Sequence, residues 1–134
     1  MVTDTRIPAV AAIALAFLGG VAAQPAGAQK AKESLISTAV AFVHTLAKGD
    51  FKAAEVDFNG TMKQAAPPGK LRNLWQKVLD QIGPFQDTGE TRTIVQGGYT
   101  TVIVRSDFKS EALGIEVSFD SAGRIAGMHF VPPP

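Results

Sequence analysis

The spacing of apolar residues changes once along this chain, near Phe85, and that change restricts the fold more than any other feature. Before it, apolar side chains recur every three to four residues, as on a helix; after it they alternate, as on a half-buried strand. From Lys30 to Lys48, the residues Leu35, Ile36, Ala39, Val40, Phe42, Val43 and Leu46 make one stripe, and Gly49-Asp50 ends it. Phe51 to Phe58 predicts a short second helix and Thr61 to Ala66 a further turn before Pro67-Pro68. The clearest helix follows: Pro68 suits its first turn, Leu71, Leu74, Trp75, Val78, Leu79 and Ile82 share one face, and Gly83-Pro84 stops it.

Four strands are expected beyond Phe85. Thr91 to Gln96 runs into Gly97-Gly98, a pair suited to a tight hairpin, and Tyr99 to Phe108 returns. Leu113, Ile115, Val117 and Phe119 alternate with Gly114, Glu116 and Ser118, so the third strand has one buried and one polar face. Asp120 to Gly123 is a turn by composition, and Arg124 to Val131 is the last strand before Pro132-Pro133-Pro134. Short connections make neighbouring strands antiparallel. Helices covering one face of such a sheet give an α+β domain of two layers.

Residues 1–28 read as a signal peptide, which leaves residues 29–134 as a single α+β domain. Arg6 precedes an uncharged stretch from Ala9 to Ala23, and Ala26-Gly27-Ala28 supplies a small-residue cleavage site. Those 15 residues, as a helix, reach about 22 Å, short of the roughly 30 Å hydrocarbon core of a bilayer. Cleavage is the reading preferred over retention as an anchor. The expected location is periplasmic or secreted, with no membrane attachment once the leader is removed. The chain has no cysteine, which excludes disulfides, zinc-thiolate sites and thiol nucleophiles. A net charge of +1 gives no electrostatic reason to bind nucleic acid.

The run Phe58-Asn59-Gly60-Thr61-Met62-Lys63, then Pro67, Leu71, Trp75 and Gly83-Pro84-Phe85, and finally Ile125-Ala126-Gly127-Met128-His129-Phe130, resembles a bacterial domain family of unassigned function. Members occur alone behind signal peptides and also directly ahead of α/β-hydrolase domains, and the family looks like the nuclear transport factor 2-like (cystatin-like) cone fold. The resemblance covers about residues 35 to 131. It implies a curved four-stranded antiparallel sheet wrapped around the long helix, with a conical cavity that binds a small ligand, catalyses, or is filled by side chains. Where the family pattern leads us to expect Asp, this chain has Asn59, which removes a carboxyl group from that position.

Phe58, Met62, Trp75, Met128 and Phe130 are the expected lining of such a pocket, although core packing is the simpler reading of Trp75, Phe58 and Met62. Tyr99, Ile103, Arg105 and His129 form an expected interface. Arg105 and Asp107 share a strand face with Tyr99, Thr101 and Ile103, and the outer surface is the preferred place for that face over a cavity wall. His129 belongs on the outer side if Met128 and Phe130 point to the helices. His44 falls roughly 130° from the centre of its helix's stripe, which predicts a solvated flank. Asn59-Gly60-Thr61 matches a glycosylation sequon but is better read as a helix N-cap.

No metal site is expected from two histidines lacking ligand spacing, and no cofactor is implied, since no P-loop or dinucleotide fingerprint occurs. Serine-hydrolase chemistry has no Gly-x-Ser-x-Gly motif here. Lys63, Lys70, Arg72 and Lys77 read as a solvated helix face. Three readings remain. The first is a non-catalytic binding or accessory module for a small apolar ligand or an envelope protein, with homodimer formation through the outer sheet face as a third option. The second is a cone-fold enzyme resembling isomerases and dehydratases, with Asp57, His44 or His129 as base in an acid/base pair. A buried carboxylate or imidazole with a perturbed pKa separates them, and its absence is expected.

Overall fold

A computed structural model describes residues 31–134, so the leader reading of residues 1–28 lies outside the described residues. Helical residues 31–34 belong to an N-terminal unit and are exposed; Leu35–Pro134 is a compact unit of its own. Helix α1 covers residues 31–47 and buries Ala39, Phe42, Val43 and Leu46. It ends at Gly49, whose φ of +80° lets the chain reverse while its N–H reaches the Leu46 carbonyl at 2.9 Å. Asp50 then caps the single-turn α2 (Phe51–Ala54) by accepting from the Ala53 N–H at 3.1 Å.

The expected helix over Phe51 to Phe58 is broken. After α2 the chain tightens into a 3-10 turn, Glu55–Asp57, and Phe58 is extended. The cause is tertiary: Phe58 forms a parallel bridge with Ile125, and the Asn59 N–H donates to the Ile125 carbonyl at 2.9 Å. Asn59 then opens α3 (Gly60–Ala65) as its N-cap, with Oδ1 accepting from the Met62 N–H at 2.8 Å. Helix α4 (Pro68–Ile82) starts on Pro68 and stops at Gly83, as its punctuation requires. Leu71, Trp75 and Ile82 are buried, whereas Leu74, Val78 and Leu79 are half-buried.

The sheet is a four-stranded antiparallel meander in the order β1 (Phe85–Gln96), β2 (Tyr99–Phe108), β3 (Ala112–Phe119) and β4 (Ile125–Val131). Strand β1 begins six residues before the expected Thr91. Register shifts between Phe85 and Asp87 and between Thr88 and Thr91 interrupt its alternation, so period 2 is not visible there. Gly97 and Gly98, both with positive φ, close the β1–β2 hairpin in two residues. From that turn, hydrogen-bonded pairs alternate across the sheet. Odd-numbered residues of β2 bond to β1 and even-numbered residues to β3; Gly114, Glu116 and Ser118 then bond to β4 opposite Val131, His129 and Gly127.

One face of the sheet packs on the helices. Val102, Val104, Ile115, Val117 and Phe119 are fully buried, and Trp75 is tilted against Phe108 and Phe85 with ring centroids 5.6 and 6.1 Å away. The molecule is therefore α+β, helices followed by a four-stranded antiparallel sheet. On the other face Gly114 is buried because the Pro132 carbonyl crosses it; an added Cβ would meet that oxygen at 2.6 Å and Ile103 Cγ2 at 2.9 Å.

Trp75→Ala is expected to lower unfolding free energy by about 3 to 5 kcal/mol in urea melts, because it opens a cavity bordered by two aromatic rings that cannot collapse into it. Gly114→Ala is expected to cost about 1 to 3 kcal/mol, the price of displacing backbone rather than a flexible side chain. An unchanged melting temperature for either variant would contradict the packing described.

Candidate functional site

The candidate site is a groove of about 340 Å³ beside β4, open to solvent. Its helical wall is Met62 and Ala65 of α3, Ala66 just after it, and Lys70 and Leu74 of α4. Its sheet wall is Ala126, Gly127, Met128 and His129. The space exists because Ala65, Ala66, Ala126 and Gly127 are small where the helices and the strand approach one another. Among the described residues no carboxylate lines it; Lys70 and His129 are the titratable groups that do, and both are exposed.

The backbone of β4 adds hydrogen-bonding capacity. Gly127, His129 and Val131 bond to β3, so the N–H and C=O groups of Met128 and Phe130 point outward, along an edge that carries no further strand among the described residues. At the start of β4 the outward carbonyl of Ile125 is already taken by Asn59.

Of the residues expected to line a pocket, the structure brings Met62 and Met128 to this groove. Phe58 lies in the core, 1% exposed, against Phe42 at a centroid distance of 5.8 Å, and Trp75 lies in the aromatic cluster with Phe85 and Phe108. Phe130 is half-buried, opposite Ile115 and on the same face as Met128. Tyr99, Ile103, Arg105 and His129 share the outer face of the sheet. Arg105 Nε donates to Asp107 Oδ1 at 3.0 Å, and His129 Nδ1 lies 3.4 Å from Glu116 Oε1, with the imidazole 71% exposed. Ala65, Ala66, Lys70, Leu74, Ala126 and Gly127 were not expected at a site. Small residues carry no periodic signal, and their proximity is set by tertiary packing.

His44 corrects the solvated-flank expectation. It is half-buried, its Nε2 is 3.1 Å from Thr88 Oγ1, and its ring meets Phe85 edge-on at 5.8 Å. The early start of β1 puts strand ahead of the expected Thr91, and that strand covers the helix flank. Neither His44 nor Asp57 lines the groove. Among the described residues no group of three His, Asp or Glu side chains is placed to hold a metal ion.

Asn59 and Asp120 join the start of α3 to the β3–β4 turn. Asn59 Nδ2 donates to Asp120 Oδ2 at 3.1 Å, so the amide nitrogen of the sequon is engaged within the fold. The other carboxylate oxygen, Asp120 Oδ1, accepts from the Ala122 and Arg124 N–H groups at 3.0 Å each. The Arg124 N–H foremost, then the Asn59 amide, hold the Asp120 carboxyl below its ordinary range.

Over residues 39–128, about two thirds of its length, the chain matches the family described as "Protein of unknown function (DUF3887)". The chain belongs to that family. No curated protein and no solved structure matches it.

Because the Asp120 pKa is lowered by folding, its stabilisation is present above the unfolded carboxylate pKa, near 3.8, and is lost as pH falls through the lower folded value. Asp120→Asn is therefore expected to melt below the wild type at pH 7, with the gap closing as pH falls below the unfolded carboxylate pKa and through the lower folded value. A gap independent of pH would show that the turn does not depend on the carboxylate's charge.

Proposed function

We propose that this DUF3887 protein is an exported, non-catalytic binding module, working in the periplasm or outside the cell, and that the groove beside β4 seats an apolar partner. The observation that carries this reading is the groove's composition: methionine, leucine, alanine and glycine surfaces, with no carboxylate and no buried ionisable group. The order of elements, helices and then an antiparallel meander, supports the cone fold suggested by the Phe58–Lys63 and Gly83–Phe85 motifs. In that reading the concave face is filled by Trp75, Phe85 and Phe108, so binding moves to the strand edge. The uncharged stretch Ala9–Ala23 with Ala26-Gly27-Ala28 supports export.

Acid/base catalysis has weaker support. Such chemistry is helped by burial that tunes a pKa, and the one imidazole at the groove, His129, is largely solvated beside Glu116.

A thermal-shift series of medium-length aliphatic alcohols and carboxylates tests the reading. A ligand at a hundredfold excess over Kd adds about 2.7 kcal/mol and raises Tm by several degrees. Ala65→Phe, which fills the groove from an exposed position, is expected to keep its own Tm and abolish the rise. No rise with any compound, or a rise equal in Ala65→Phe, would refute groove binding.

A further inference from the structure

Resting on the groove-binding reading, we propose that its partner is an extended peptide carrying a carboxylate, added as a fifth strand on the edge of β4. The two edges of the sheet differ. β1 is interrupted by two register shifts and presents Glu90 and Arg92, features that discourage pairing. β4 is regular from Gly127 to Val131 and contains neither Asp, Glu, Lys nor Arg. Its outward N–H and C=O groups at Met128 and Phe130 offer two donors and two acceptors at the spacing of an antiparallel or parallel neighbour. The ladder is limited at one end by Asn59, which holds the Ile125 carbonyl, and at the other by Pro132-Pro133-Pro134, which have no N–H.

The groove lies alongside these groups and accepts the side chains that a strand points toward the helices. Among the described residues no carboxylate pairs with the Lys70 ammonium on its helical wall. A peptide with an acidic residue, or with a free C-terminus, satisfies both the edge and Lys70. A simple aliphatic acid satisfies Lys70 and leaves the edge unpaired. A second copy of β4, laid antiparallel, would set the two copies' His129 side chains against each other and bring no carboxylate to Lys70 from that strand.

The test uses the full chain and six-residue peptides alternating valine and threonine, with one aspartate moved through every position, together with versions N-methylated at alternate amides. Binding is followed by calorimetry and amide hydrogen exchange. In the free protein, the Met128 and Phe130 amides should exchange faster than those of Gly127 and His129. The best peptide should slow exchange at Met128 and Phe130, and should bind about tenfold more weakly to Lys70→Glu and when N-methylated on the pairing amides. Equal binding of both N-methylated forms would overturn strand addition while leaving groove binding intact. So would Tm rises with aliphatic compounds and no binding by any peptide. Protection of Met128 and Phe130 in a dimer before peptide is added would replace the peptide with a second copy. Failure of every peptide and every aliphatic compound would remove both readings.

Discussion

The Gly97–Gly98 turn and the register it imposes decide what the rest of the sheet can present. A slip of one residue would exchange the two faces of a strand, moving Val102 and Val104 into water and Ile103 and Arg105 toward the helices. Burial of Val102, Val104, Ile115, Val117 and Phe119 opposes that slip strongly, since each contributes on the order of 1.5 to 3 kcal/mol of transfer free energy. The turn's geometry selects the same register locally. With register settled, the positions of Met128 on the helix side, His129 on the outer side, and the outward backbone groups of β4 follow without further choice.

Asn59 performs a related task between the helices and the sheet. Its Oδ1 caps α3, its backbone N–H reaches the Ile125 carbonyl, and its Nδ2 reaches Asp120. Phe58 beside it is inserted against Phe42, so polar fastening and apolar burial act at adjacent residues. An acidic side chain at position 59 would place two carboxylates within hydrogen-bonding distance, and one of them would have to hold a proton. An amide instead satisfies Asp120 while leaving it charged.

Much of this architecture is legible in the sequence because it rests on period and punctuation. The limits Tyr99 and Phe108 of β2, the start of α4 at Pro68 and its stop at Gly83, and the capping role of Asn59 all have local causes. The start of β1 is not legible, because bulges around Asp87 and Glu90 remove the alternation that marks a strand. Phe58 is extended for a partner 67 positions later, which no local pattern signals. The environment of His44 is hidden for the same reason, since Thr88 and Phe85 belong to the unanticipated part of β1. As for the groove, Met62 and Met128 stand out as large apolar residues, whereas Ala65, Ala66 and Gly127 matter for volume they do not occupy.

The two sheet edges show how the fold handles a general hazard. An exposed edge strand carries unpaired backbone groups and invites pairing with other chains, so proteins commonly interrupt, charge or cover it. On β1 the bulges and the charged pair Glu90 and Arg92 do this, and the apolar side chains left exposed there, Ile94 and Val95, lie at the hairpin end of the strand. On β4 the protection is of another kind: Asn59 blocks one end, three prolines block the other, and the segment between is regular and flanked by α3 and α4. Proline and a single side-chain cap limit the length of any added strand without altering the geometry of the residues between them. Strand addition at this edge, if it occurs as proposed, is thereby confined to a short extended segment, and the open-ended addition that leads to aggregation is opposed.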